Sequence, residues 1–307
     1  MAMAKKMKNK EKIKKLVTHN GSFHADDIFA CAALSLLLEK KKQKFEIIRT
    51  RDEKIIKTGD YVFDVGGIYN AGKNKFDHHQ VGFKEKRKGG IILSSFGLVW
   101  RKYGPEIAGS KKVSEIIEKK LVAPIDAWDN GFDLVKNKYD ISPYYIQHAF
   151  AILRPTWKEK KLSEDIMFRK GVSIAKEIIA REIIQANDSI EASRMVVSIY
   201  KKSKNKKIIV LDREYPYEYT LQSFSEPMFV IYPRETDGTW GVKAVRKDLQ
   251  SFKNRKDFPK KWAGLREDTL PKVSGVPDAV FCHKALFLAV AKSKKGAIRL
   301  AEIAVKS

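Results

Sequence analysis

The pentapeptide Phe76-Asp77-His78-His79-Gln80 sets two imidazoles directly behind a carboxylate. Such side chains bind divalent metals or pass protons, and neither a buried strand nor a plain loop has an ordinary use for them. Neighbouring residues on an extended segment point opposite ways, so one histidine is expected to take a metal while the other faces a substrate. Only six histidines serve 307 residues, and four of them, His19, His24, His78 and His79, fall in two tight groups within the first 80. Asp26 accompanies the first group and Asp77 the second, with Asp64 between them and Asp126 and Asp129 beyond. Imidazole with carboxylate and without thiolate suits Mn, Fe or Zn, and Mg where carboxylates predominate. There are more such groups than one ion needs. The surplus points to two metals about 3.5–4 Å apart, bridged by a shared carboxylate and a water. Asp64 is the best bridge, because it ends an expected strand where both groups can reach it. A pair of ions of this kind polarises a phosphoryl oxygen and lowers the pKa of the bridging water. His79, beside Asp77, is then placed to donate to a phosphate oxygen or the leaving group.

Each of these residues also has a plainer use. Asp26 reads as an N-cap on the following helix, and Asp126 and Asp129 as the last turn of a helix closing at Gly131. Asp60 reads as a strand-entry residue and His148, on an apolar helix, as a satisfied core histidine. His283 lies on an expected buried strand just before Lys284. No Walker loop, Gly-x-Ser-x-Gly elbow or His-Glu-x-x-His helix is present, so P-loop enzymes, serine hydrolases and helical zinc proteases fit poorly.

The elements that must position these groups follow from periodicity. Leu16–Thr18, Phe45–Arg49 and Asp60–Gly67 read as strands, with an apolar helix over 28–40 between the first two. That order describes an α/β fold, a mostly parallel sheet flanked by helices. Ligands then gather outside the carboxyl ends of the strands, where His19, Asp64 and the Asp77 group fall. Helices are expected over 93–103, 113–122 and 144–153. A long helical spacer over 163–200, with a break near Asn187-Asp188-Ser189, closes a first domain of residues 1–200. Residues 201–307 form a smaller α+β domain, with strands at 208–211, 228–232, 239–246 and 279–283 and a closing helix over 294–305.

Composition bounds the setting. Lys and Arg number 61 against 37 acids, a net charge of +24, which suits a polyanionic partner or equally a Lys-decorated solvent face. Cys31 and Cys282 both sit in apolar runs, which argues against a disulfide framework and a cysteine zinc site and favours a reducing compartment. No apolar run is long enough to span a bilayer. The basic stretch Met1–Lys15 lacks the apolar segment of a secretory signal and reads as a solvated tail. A cytoplasmic protein without membrane attachment is expected.

The motifs together resemble a known family. Thr18-His19-Asn20-Gly21-Ser22-Phe23-His24-Ala25-Asp26, Asp64-Val65-Gly66-Gly67 and Phe76-Asp77-His78-His79-Gln80 look like the family of the melanocyte proliferating gene product, a branch of the DHH phosphoesterases. The resemblance continues through Asp126-Ala127-Trp128-Asp129-Asn130-Gly131, Arg154-Pro155-Thr156-Trp157, Trp262-Ala263-Gly264-Leu265-Arg266 and Val273-Ser274-Gly275-Val276-Pro277. It implies a two-domain phosphoesterase with 3′-to-5′ exonuclease activity on RNA and two divalent ions, Mn preferred over Mg or Zn. By that resemblance His19, His24 and Asp64 hold one ion. Asp26, Asp64, His78 and either Asp126 or Asp129 hold the other, with His79 facing the substrate. The wider superfamily usually carries an Asp where His24 stands. Arg154, Ser274, Gly275 and His283 are the residues expected to grip the substrate, which is RNA or a short oligonucleotide; a homodimer is compatible with the reading. The rival readings are a hydrolase of a dinucleotide or pyrophosphate, and a non-catalytic RNA-binding protein with a structural metal site.

Overall fold

The computed structural model describes residues 12–249 and 251–307. The expected N-terminal tail lies outside the described residues up to residue 11, and the first strand already begins at Lys14. The first sheet contains β1 (Lys14–Thr18), β2 (Phe45–Arg49), β3 (Tyr61–Phe63), β4 (Tyr69–Asn70) and β5 (Lys75–Phe76), in the order β2-β1-β3-β5-β4. All pairings are parallel except that of β4 with β5. The α/β class expected from the sequence is therefore the one observed, although the two shortest strands gave no pattern to read.

Helix α1 (Ala25–Lys40) crosses from β1 to β2 and is buried on nearly every side. A helix apolar all round belongs inside a protein. Ile28, Phe29, Leu34, Leu37 and Leu38 are fully buried, each contributing about 1.5–3 kcal/mol of transfer free energy. After α2 (Glu53–Ile56) come α3 (Ser95–Ala108), α4 (Lys111–Ile117), a π-helical turn at Glu118–Val122, α5 (Ala123–Asp129) and α6 (Ile146–Ala151). Phe29 on α1 meets Phe96 on α3 at 5.4 Å and Phe150 on α6 at 5.0 Å between ring centroids. These contacts hold α3 and α6 against α1. Because β1, β3 and β5 run the same way, their carboxyl ends deliver His19, Asp64 and Asp77 to one edge of the sheet.

Helix α7 (Glu164–Lys202) runs unbroken through Asn187-Asp188-Ser189, where an interruption was expected. None of the three is Gly or Pro, so they cost the helix only a few tenths of a kcal/mol each. The chain divides into two compact units between Ala186 and Asn187. In the second, Val196 and Tyr200 of α7 pack on Ile209, Leu211 and Val230. Its sheet contains β6 (Ile208–Val210), β7 (Phe229–Pro233), β8 (Trp240–Ala244), β9 (Ala279–Cys282) and β10 (Leu288–Ala291), in the order β6-β7-β8-β10-β9. Short helices α8 (Glu218–Gln222) and α9 (Leu270–Ser274) join it, and α10 (Lys294–Lys306) buries Leu300, Ala301 and Ala304 in its core. Among the described residues no helix is long and apolar enough to cross a membrane.

Candidate metal centre

His19 follows β1 and is 4% exposed. Its Nδ1 lies 3.1 Å from the Asn20 carbonyl, which turns Nε2 between two acids, 3.1 Å from Asp64 Oδ2 and 3.2 Å from Asp27 Oδ2. Burial alone would lower the imidazole's pKa. Asp27 and Asp64 outweigh it and push the value up to about 10. The loop carrying His19 and His24 is anchored by Arg49 of β2, whose guanidinium donates to the Gly21 carbonyl and packs over Phe23 and Phe168.

Asp64 is the hub. It sits one residue past β3 with φ +52°, a left-handed conformation that few residues other than Gly adopt and that Asp tolerates. Backbone held in a sparse region commonly marks a functional site. Ser95 Oγ donates to Asp64 Oδ1 at 3.3 Å, and His79 Nδ1 lies 3.5 Å and His78 Nδ1 3.9 Å from the same oxygen. Burial favours the protonated carboxyl, but the hydrogen bond from His19 and the charges of the surrounding histidines hold its pKa below the ordinary value.

His78 and His79 were expected to point opposite ways. Instead their rings stack 4.1 Å apart on the same side, because β5 ends at Phe76 and the pleat does not continue into the pair. His78 Nε2 lies 3.1 Å from Asp129 Oδ2. His79 is held by Asp77: both its backbone N–H (3.1 Å) and its Nδ1 (2.8 Å) meet Asp77 Oδ1, while Gly67 N–H donates to Oδ2 at 2.6 Å. Asp77 raises the pKa of His79 against the opposing effect of burial.

The start of α1 contributes Asp26 and Asp27. Asp27 Oδ1 accepts from the His24 backbone N–H at 2.9 Å, closing the helix N-terminus. The capping role considered for Asp26 thus belongs to its neighbour. Both oxygens of Asp26 are buried and accept no hydrogen bond, whereas Asp27 Oδ2 has His19 Nε2 beside it. Burial and then the charges of Asp129, Asp64 and Asp27 drive the Asp26 carboxyl well above its usual range; burial also raises Asp27, opposed by His19. A buried acid with no donor costs several kcal/mol unless a cation meets it. The ligand atoms fall into three overlapping groups, each within 4.8 Å: His19, His24 and Asp64; Asp26, His78 and Asp129; and Asp64, Asp77, His78 and His79. The orphaned oxygens and the mixed imidazole–carboxylate donors fit divalent cations.

Asp126 does not join them. Arg87 Nε donates to its Oδ2 at 2.8 Å, and the Ser94 N–H and Oγ–H donate to Oδ1 at 3.1 and 2.8 Å. A Cβ on Gly97 would fall on this carboxylate, so α3 is shaped around it. Burial lifts the Asp126 pKa to about 6 against the pull of Arg87. Of the two candidates on α5, Asp129 is the one that faces His78.

His19, His24, Asp26, Asp64, Asp77, His78, His79 and Asp129 line a cavity of about 850 Å³, together with Arg51, Trp128, Gln147, His148 and Arg154. His148 is therefore not a core histidine; it forms part of the wall, packed 4.9 Å from the Trp128 ring. Sequence reasoning missed Arg51 and Trp128 as wall residues, and Asp27 as the buried acid behind His19, though the second acid of Ala25-Asp26-Asp27 was the signal for the last. Ser274, Gly275 and His283 belong to the second unit. Ser274 Oγ accepts from Val276 N–H at 3.2 Å, Gly275 closes α9 with φ +71°, and His283 Nδ1 accepts from Ala285 N–H at 3.0 Å.

Residues 15–305 match the model of a family described as an uncharacterised protein family (UPF0160), MYG1_exonuc. A "MYG1 protein" of Dictyostelium discoideum is 32% identical over 317 aligned positions, covering 93% of this chain and 94% of its own length. A "MYG1 exonuclease" of Rattus norvegicus is 30% identical over 320 positions, covering 92% and 82%. Among solved structures, RecJ in complex with Mn²⁺ from Thermus thermophilus aligns over 96% of this chain and 52% of its own, at 12% identity and a TM-score of 0.29. A likeness at that level carries no argument about the chemistry.

Proposed function

The chain belongs to the family UPF0160 (MYG1_exonuc), and from that premise we propose that it is a divalent-metal-dependent phosphodiesterase, a 3′-to-5′ exonuclease acting on RNA. The observation that carries this reading is the pair of buried Asp26 oxygens without hydrogen-bond partners, gathered with His78 and Asp129 beside the His19, His24 and Asp64 group. His19, His24 and Asp64 would hold one ion, and Asp26, Asp64, His78 and Asp129 a second. When bound, such a pair supplies charge neutralisation at the phosphoryl oxygen and a water acidic enough to attack at neutral pH. The name "MYG1 exonuclease" of the rat relative supports the activity, and the net charge of +24 supports a polyanionic substrate.

The protein's own groups have separable tasks. Asp77 orients His79 through Nδ1 and favours the protonated imidazole, leaving Nε2 to donate a proton to the departing oxygen. Ser95 orients Asp64. Arg51 and Arg154, on the cavity wall, attract the phosphates flanking the scissile bond.

A cavity of about 850 Å³ also falls within the roughly 300–1,000 Å³ that accommodates a whole small ligand, which keeps a dinucleotide hydrolase as the second reading. End-labelled RNA incubated with the protein and Mn²⁺, with EDTA and Asp64→Ala as controls, tests both. An exonuclease gives a ladder that both controls abolish. A dinucleotide hydrolase leaves the long RNA intact and cleaves a two-nucleotide substrate. Equal absence of cleavage in all arms, on both substrates, contradicts the enzyme reading.

A further inference from the structure

We propose that Trp128 is a stacking platform for the nucleobase next to the scissile phosphate, so that the cavity recognises a nucleotide by its base as well as by its phosphate. The inference rests on reading the site as a nucleic-acid phosphodiesterase and extends it from the phosphate to the base.

Trp128 lines the cavity yet keeps 45% of its surface exposed. A tryptophan on the wall of a pocket holds back a large apolar face that burial in the core would have used. It lines the same cavity as Asp129, whose Oδ2 lies 3.1 Å from His78 Nε2, so the indole shares the space of the proposed reaction centre. Two neighbouring rings hold the indole in place. Tyr145 packs at 4.9 Å with an interplanar angle of 48°, and His148 at 4.9 Å and 88°, an edge-on contact. The end of α5 that carries it is fixed as well, since Asn130 Nδ2 donates to the carbonyls of Ile92 (3.1 Å) and Asp126 (2.9 Å). A base meeting a ring already fixed in this way loses little conformational freedom on the protein side. Arg51 and Arg154 share the same wall, which supplies cations for the phosphate while Trp128 supplies an aromatic face for the base. Stacking tolerates any base, because every base has a π-face.

The test compares AMP with ribose 5-phosphate, which has the same phosphate and sugar but no base. Both are titrated calorimetrically in Mn²⁺ buffer into wild type, Trp128→Ala and Trp128→Phe, with circular dichroism to check folding. Wild type is expected to bind AMP at least roughly tenfold tighter than ribose 5-phosphate. Trp128→Ala should lose that preference and Trp128→Phe should keep most of it. Equal affinity for the two ligands in wild type, binding of neither, or a preference that survives in Trp128→Ala would overturn the inference. So would a preference that Trp128→Phe fails to restore, since the ring would then act through the fold rather than through its face. The two claims fail separately: a base preference that tracks Trp128 in a protein that shortens no RNA sinks the exonuclease reading alone, whereas RNA cleavage without base preference sinks only this one.

Discussion

Asp126 and Asp129 sit one turn apart on α5 and live in opposite surroundings. Asp126 is fully buried, and its carboxylate is saturated by Arg87 and Ser94, with Glu118 sharing the Arg87 guanidinium. Asp129 faces the cavity beside His78, in a group with Asp26, whose two oxygens have no donor at all. Both regions place negative charge inside the first unit. The difference lies in where the compensating charge comes from. Around Asp126 the chain supplies it, so that acid is part of the architecture. Around Asp26 and Asp129 the chain supplies too little, and a proton or a bound cation makes up the remainder. Burial therefore does not mark a functional acid; burial without a partner does.

The contrast can be broken at four points, in descending order of effect. Asp64→Ala removes the oxygen shared by the histidines and is expected to lower Mn²⁺-dependent RNA cleavage by about a thousandfold or more, over 4 kcal/mol of barrier, in a single-turnover assay. Its unfolding midpoint in EDTA should fall less than that of Arg87→Ala, since it loses only the His19 and Ser95 contacts. Arg87→Ala does the reverse: it strands Asp126 as an uncompensated buried charge and should cost about 3 kcal/mol of stability, read from urea unfolding. If Asp64→Ala unfolds the protein while Arg87→Ala leaves its stability untouched, the two regions have been assigned the wrong way round.

Asp26→Asn should stabilise the metal-free protein by roughly 0.5–2 kcal/mol, as relief of site repulsion commonly does, while abolishing the rise in melting temperature that Mn²⁺ gives the wild type. A destabilised Asn variant would mean that Asp26 has a partner within the fold. The smallest effect concerns Asp60, a surface acid that accepts from Lys15 N–H and Lys14 Nζ at 3.0 Å each. Burial opposes its ionisation, but these donors hold its pKa below 3.8. A lowered carboxylate pKa means stability present above pH 3.8 and lost as pH falls through the native-state value. Asp60→Asn should flatten the acid limb of the stability curve by less than about 1 kcal/mol. An unchanged limb would show that the ion pair contributes nothing measurable.

What the sequence shows of the site depends on how local each interaction is. His19, His24, Asp64, His78 and His79 stood out because their side chains are rare and clustered, and parallel strands bring their segments together by topology alone. The choice between Asp126 and Asp129 was closed to sequence reasoning, since it turns on Arg87, 39 residues upstream of Asp126. Asp27 was hidden behind the capping role considered for Asp26. His148 misled because an apolar helix such as α6 can still present one side to a cavity. The strands at Tyr69–Asn70 and Lys75–Phe76 are two residues each, too short for any periodicity. Strand β10, Leu288–Ala291, sits in an alanine-rich run with little β-branching, which reads no more like a strand than a helix.

The central claim is that the unpartnered Asp26 and the acids and histidines gathered near it hold divalent cations. Crystals grown with Mn²⁺ and measured at its absorption edge test that claim directly. Two anomalous peaks are expected, one touching His19, His24 and Asp64 and the other touching Asp26, His78 and Asp129. Absence of peaks there at saturating Mn²⁺, or density only elsewhere on the chain, would contradict it.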